Sequence, residues 1–361
     1  MSQSPFLTSG HSRGRRASAI RRRRRRRRIA VVCLLALLIA GAVIGEMALA
    51  SGPGHRTDGQ RRPAGALARH PAVRLSPHGF PLAAPALKLS GVGDPQGDPV
   101  RVDFADPPRA GLLFNLTTGQ VLWQRNAFVR LPIASLTKMM TALLTVRSAP
   151  PDAPVLITRQ AIAAQGSKVG VLPLGRHVPL ESLLYGLLLP SGNDAAVALA
   201  QHVAGSVNAF VVRMNEEAAK LGMGCTRYSS PSGYYDAGNF SCVADLAILA
   251  HVDLEQPRIA QVVRTYQAIL PFPIPGGKLY LYNNNPLLIY RYPGVTGMKT
   301  GQTEAAGRCV VATAERHGVR LGAIVLHSED PGTQDRELLD AGFEDVYHQP
   351  PVPEAPFPPG A

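Results

Sequence analysis

The sequence predicts an α+β domain, with one antiparallel sheet built from both ends of the folded region and a helical middle laid over it. Three observations predict this. Residues 111–125 (GLLFNLTTGQVLWQR) form two β-rich runs around a Thr117-Thr118-Gly119 turn, a hairpin at the domain's start. Residues 308–314 and 320–326 are a second β-rich pair, joined through His317-Gly318 near its end. The stretch between them is dominated by apolar runs of helical length. Strands at both ends with helices between them close as one sheet under a helical layer.

The 361 residues divide by composition before any element is assigned. Residues 1–28 hold eleven arginines and no acid, so of the formal +13 the remainder of the chain carries only +2. The basicity belongs to a terminal arm read as cytoplasmic and disordered, and the domain itself offers no nucleic-acid surface. Ile29 to Gly45 (IAVVCLLALLIAGAVIG) is 17 residues without a charge, the short end of a membrane span. Arginines on its N-terminal side place that end in the cytoplasm and send the bulk across. Segment 29–50 is therefore an uncleaved anchor, or a signal peptide cut after Ala48-Leu49-Ala50. Residues 51–98, rich in Pro, Gly and Arg, read as a disordered linker. The folded domain is 99–348, and 349–361 is a proline-rich tail.

Within the domain, Pro132 followed by Met139, Met140, Leu143 and Leu144 marks a helix starting at Ser135. Residues 155–180 alternate short apolar runs with Gly and Pro, giving loops and brief strands. Leu180 to His202 reads as two helices broken at Pro190-Ser191-Gly192. Further helices follow at Ala209–Leu221, ended by Gly222, and at Ser241–His251, with a closing one at Asp335–Gly342. Of four cysteines, none has metal-ligand spacing, and no metal or cofactor is implied. Cys225 and Cys242 pair if the domain is exported, two reduced thiols being the alternative.

Three motifs carry chemistry. In Ser135-Leu136-Thr137-Lys138 a hydroxyl and an amine lie one helical turn apart. Serine is a poor nucleophile until a base takes its proton, and lysine is such a base when its neighbours lower its pKa. The chain has only six lysines against 32 arginines, and Lys138 and Lys299 both fall in these motifs. Ser191-Gly192-Asn193 sits at a helix break, where a hydroxyl relays a proton and an amide orients a substrate and the lysine. Ser206-Val207-Asn208 matches the same pattern, but Ser191 is preferred for its setting at the break and the Asp-Ala-Ala that follows. Lys299-Thr300-Gly301 precedes a β-rich run and is assigned to an edge strand. There Lys299 and Thr300 meet a substrate carboxylate and Gly301 admits its backbone.

The order S-x-x-K, S-x-N, K-T-G, each supported by its setting, resembles the penicillin-binding proteins and class A β-lactamases. With PIASLTKMMTALL, SGNDAAVALA, FVVRMNEEAAKLGM, Ser230-Pro231-Ser232-Gly233 and GVTGMKTGQTEAAG, residues 110–345 resemble the low-molecular-weight serine D-alanyl-D-alanine carboxypeptidases. The resemblance implies a β-lactamase/transpeptidase-like fold. It implies removal of the terminal D-alanine from peptidoglycan stem peptides, with β-lactams as inhibitors, on the extracytoplasmic face. It makes Ser135 the acylated nucleophile and Lys138 its base, with Ser191 and Asn193 for relay and orientation. Lys299 and Thr300 hold the carboxylate, and backbone N–H groups of Ser135 and Gln302 hold the oxyanion.

Gln302 departs from the family's frequent histidine, and the loop HSEDPGTQDRE offers Arg336 as the nearest carboxylate-binding arginine. The family's larger members add a second β-rich domain and a C-terminal anchoring helix, whereas attachment here is expected through residues 29–45. The competing expectations are a β-lactamase-type hydrolase on the same fold and a non-catalytic penicillin-binding scaffold.

Overall fold

The structure, a computed structural model, describes residues 74–234 and 238–353. The basic arm, the apolar segment 29–45 and the start of the linker lie outside the described residues. Among the described residues no single helix is long and apolar enough to cross a membrane.

In chain order, β1 (Ala110–Asn115) and β2 (Val121–Arg125) precede a 3-10 turn, Ala134–Thr137, which runs into α1 (Lys138–Ser148). The short strands β3 (Pro154–Leu156) and β4 (His177–Pro179) flank α2 (Arg159–Ile162). The middle is helical: α3 (Leu180–Leu188), α4 (Asn193–Ala204), α5 (Val207–Lys220), α6 (Val243–Leu254) and α7 (Pro257–Val263). A hairpin, β5 (Gln267–Pro271) and β6 (Lys278–Tyr282), and the short α8 (Pro286–Ile289) lead into the closing strands. These are β7 (Val295–Thr303), β8 (Gly307–Arg316) and β9 (Val319–Ser328), followed by α9 (Pro331–Ala341).

The main sheet has the order β2-β1-β9-β8-β7, and every neighbour pair is antiparallel. The pairing of β1 with β9, from Ala110 opposite Leu326 to Asn115 opposite Leu321, joins the two ends of the domain as the sequence predicts. Side chains alternate across the sheet. Leu112, Phe114, Val311, Ile324 and Leu326 pack into the larger core beneath the helices. Leu113, Val310, Ala312, Ala323 and Val325 pack on the opposite face with Leu338, Leu339 and Phe343 of α9 and its extension. Both faces are covered, so β1 is buried throughout and its sequence shows no polar alternation. Each such Leu or Phe contributes about 1.5–3 kcal/mol on burial.

One expectation shifts. The linker reading of 51–98 gives way from Arg74 onward. Residues 74–98 lie along the domain, with Ser90 bridging Gln120, Ala83 N–H donating to Ala219 and Leu87 buried. Their Pro and Gly content suppresses periodicity, yet their apolar residues still find the core. The Ser206-Val207-Asn208 match, set aside in favour of Ser191, is a helix cap: Ser206 Oγ accepts from Ala209 N–H at 3.1 Å and starts α5. Cys225 and Cys242 are joined as a disulfide, with Cα atoms 5.7 Å apart.

Candidate active site

Ser135 lies in the 3-10 turn rather than in the helix proper, one step ahead of α1, and is half-buried. The turn is tight enough to hold Ala134 at φ 46°, an uncommon conformation for a residue with a Cβ. Such backbone strain persists only where the surroundings fix it. Here they do: Gly233 (φ +73°) packs so closely that an added Cβ would lie 1.9 Å from the Ala134 carbonyl oxygen.

Lys138 is fully buried, and its Nζ has four polar neighbours. Ser135 Oγ and Asn193 Oδ1 each lie at 2.7 Å, the Ser232 carbonyl at 3.1 Å and Ser191 Oγ at 3.3 Å. Burial is the largest cause that drives the Lys138 pKa well below the ordinary lysine value. The neighbouring Lys299 charge pushes it the same way, and Asp194 opposes both. A neutral amine has two hydrogens and one lone pair. Two of its neighbours, Asn193 Oδ1 and the Ser232 carbonyl, only accept, so they take the hydrogens. The lone pair is then left for the Ser135 hydroxyl, the arrangement a general base requires.

Ser191 sits at the break between α3 and α4, itself at φ 67°. Gly192 N–H donates back to Gly186 and Asn193 N–H to Ser167, closing the turn. Asn193 opens α4 and is anchored from the far side, its Nδ2 donating to the Gln165 carbonyl at 2.5 Å. Asp194 accepts from the backbone N–H groups of Val169 and Gly170, pinning the 165–170 loop beside the site.

Lys299, Thr300, Gly301 and Gln302 lie on β7, the edge strand of the main sheet, as predicted. Lys299 is buried, donates to the Thr300 carbonyl at 2.8 Å and is held down to about 7 by desolvation. Gly301 is required for a neighbour the sequence does not reveal. A Cβ there would sit 2.9 Å from the Ile133 carbonyl oxygen and 3.1 Å from Ser135 N. The strand presses against the turn that carries Ser135, so the close approach is to the protein's own backbone.

These elements enclose a cavity of about 550 Å³. Ser135, Ser191, Thr300, Gly301 and Gln302 line it, while Lys138, Asn193 and Lys299 stand behind that lining. Three contributions were not readable beforehand. The Ser232 carbonyl belongs to the Ser230–Gly233 segment, which shows no side-chain chemistry for the role. Arg308 of β8, not Arg336, lines the cavity, because the β7–β8 turn returns it beside Gln302. Asn284, between β6 and α8, forms another wall.

The sequence and the fold are shared with known proteins. The family model described as D-alanyl-D-alanine carboxypeptidase, peptidase S11, matches residues 108–330. The chain belongs to the peptidase S11 family. Among relatives, the D-alanyl-D-alanine carboxypeptidase DacB2 of Mycobacterium tuberculosis is 37% identical over 245 residues, 66% of this chain and 82% of that protein. DacF of Bacillus subtilis is 32% identical over 256 residues, 69% of this chain. The chain spans only 65% of the length of DacF. Of solved structures, a mutant of the Streptomyces K15 DD-transpeptidase superposes with a TM-score of 0.63 at 30% identity, covering 67% of this chain and 99% of that one. A Mycobacterium tuberculosis D-alanyl-D-alanine carboxypeptidase superposes with a TM-score of 0.64 at 32% identity, covering 71% and 96%. The expected β-lactamase/transpeptidase-like architecture is thus the fold of this S11 member.

Proposed function

We propose that the chain is a serine D,D-carboxypeptidase that removes the terminal D-alanine from peptidoglycan stem peptides and is acylated by penicillins. The observation that carries this is the arrangement around Lys138: a buried amine, its pKa lowered, 2.7 Å from the hydroxyl of Ser135.

In this reading the substrate's terminal carboxylate enters between Lys299, Thr300 and Arg308. Lys138 Nζ takes the Ser135 proton as Oγ attacks the carbonyl carbon of the penultimate residue. The oxyanion that forms is held by the backbone N–H groups of Ser135 and Gln302, so a glutamine serves at 302 as well as another side chain would. Ser191 passes the proton on to the leaving nitrogen, the C–N bond breaks and D-alanine departs. Water then attacks the Ser135 ester, giving its proton back through Lys138, and the shortened peptide is released.

Among the described residues lining the cavity none is a carboxylate. The β-lactamase alternative needs a base for a deacylating water, and in class A enzymes this is a glutamate. The site therefore favours a long-lived penicilloyl enzyme. An extracytoplasmic location, with attachment through residues 29–45, fits the Cys225–Cys242 disulfide, which persists in oxidising compartments.

The test is labelling with a fluorescent penicillin. A stable label in the wild type and none in Ser135→Ala is the expected result. A label that disappears within seconds would instead indicate β-lactamase chemistry, and no label at all a non-catalytic scaffold.

A further inference from the structure

The hairpin β5–β6 has two unlike faces. Leu279 and Leu281 point into the main core. The other face carries Gln267 opposite Tyr282, Ile269 opposite Tyr280 and Pro271 opposite Lys278, all exposed. Tyr280, Tyr282 and Ile269 are each more than half exposed, with Tyr266 beside them at 46%. A soluble domain rarely leaves three tyrosines and an isoleucine together in water without use.

This face is continuous with the catalytic cavity. Tyr282 is followed by Asn283, Asn284 and Asn285, and Asn284 forms part of the cavity wall. The connection is fixed. Asn283 N–H donates to the Tyr266 carbonyl at 2.8 Å, its Nδ2 reaches the Thr265 carbonyl at 3.1 Å, and its Oδ1 receives Asn285 N–H at 2.9 Å. Asn284 N–H donates to Leu189, just ahead of the Ser191 break. The face begins two residues from the cavity, about 7 Å along the chain, and β6 carries it roughly 14 Å farther.

We propose that this face is a subsite for the glycan strand of peptidoglycan, the polysaccharide to which the scissile stem peptide is attached. The proposal rests on the carboxypeptidase reading and extends it from the peptide to the polymer. A stem of five residues spans at most about 18 Å when extended, so its sugar-bearing end falls within the length of the hairpin. The chemistry of the face suits neutral sugars. Pyranose rings present C–H faces that stack on tyrosine, whose hydroxyl and neighbouring amide groups meet the ring substituents. Lys278 is the only charge among the six outward residues of the two strands, too little for an anionic lipid surface.

The test uses the full chain carrying Ser135→Ala, sedimented with insoluble peptidoglycan stripped of its stem peptides. Binding is expected, weakened about three- to ten-fold by each of Tyr280→Ala and Tyr282→Ala and retained in Tyr280→Phe. With Ser135 restored, the double alanine variant raises KM on intact peptidoglycan. It leaves kcat/KM unchanged for a soluble acylated tripeptide ending in D-Ala-D-Ala, which carries no sugar. Equal glycan binding by wild type and the double variant would overturn the proposal. So would loss confined to binding of anionic phospholipid vesicles, or to self-association in sedimentation. Failure of the wild type to cleave the soluble tripeptide, with tyrosine-dependent glycan binding intact, would overturn the carboxypeptidase reading and leave the subsite standing.

Discussion

At the residue scale the proposed mechanism uses two lysines in opposite protonation states. Lys138 must be neutral to accept a proton, and Lys299 must be charged to attract a carboxylate. Burial lowers both, and Lys299 comes down to about 7 in the free enzyme. The signs then give a bell. Acylation falls as pH drops through the lowered pKa of Lys138, because the base becomes protonated. It also falls as pH rises past about 7, because Lys299 loses its charge. A bound carboxylate favours the charged form of Lys299. The descending limb therefore appears in the pH profile of kcat/KM and moves up or vanishes in that of kcat. A kcat/KM that is flat across this range would remove Lys299 from carboxylate binding. Gly301 gives a second prediction. In Gly301→Ala the new methyl meets backbone atoms on both sides, Ile133 O and Ser135 N, and neither yields as a side chain would. The Ser135 turn must shift, and a displacement near 1 Å costs about 10²-fold. Stopped-flow penicillin acylation should show that loss, accompanied by a Tm lowered by several degrees, since overpacking costs about 1–3 kcal/mol.

At the element scale, the Lys138 environment is assembled from pieces distant in sequence, and one of them is held by a covalent tie. The Cys225–Cys242 disulfide closes a loop of sequence separation 17. That loop carries Pro231, whose carbonyl accepts from Thr141 Oγ1 of α1 at 2.7 Å, and Ser232, whose carbonyl accepts from Lys138. Closing a loop of this length stabilises by about 3 kcal/mol on the chain-entropy account. The Cys225→Ser/Cys242→Ser double variant is expected to lose about that much in denaturant unfolding. It should also acylate more slowly, because a loosened Ser232 carbonyl no longer orients the amine. Unchanged acylation would show that the tie serves stability alone. Side-chain motifs announce their chemistry in a sequence. A carbonyl supplied by a loop does not, so Ser135, Lys138, Ser191 and Lys299 were legible and the part played by Ser232 was not. Arg308 was missed for a related reason: the cavity depends on which residue the β7–β8 turn brings opposite Gln302, a matter of register.

At the scale of the whole molecule, the two-ended sheet was legible because its outer hairpins are local. Each announces itself by a turn between apolar runs, and only one long-range pairing, β1 with β9, had to be inferred. The hairpin β5–β6 escaped because its exposed face carries Tyr280, Tyr282 and Ile269, which erase the polar half of a strand's alternation. The N-terminal boundary escaped as well, since residues 74–98 have a linker's composition but not a linker's contacts. Asp98 accepts from Gln124 N–H and Nε2 at 2.8 and 2.9 Å, and Gln124 in turn receives Gly93 N–H and donates to the Gly91 carbonyl. Ala83 and Ala86 donate to the C-terminal end of α5. The segment thus binds β2 and the helical layer together from outside. A chain beginning at Arg74 should therefore label with penicillin and melt as the full chain does. One beginning at residue 99 leaves the Gln124 side chain and the carbonyls at the end of α5 without these partners. It should melt at least several degrees lower at the same pH, at about 2–4 °C per kcal/mol for a domain of this size. Identical melting of the two shortened chains would return residues 74–98 to the role of a linker.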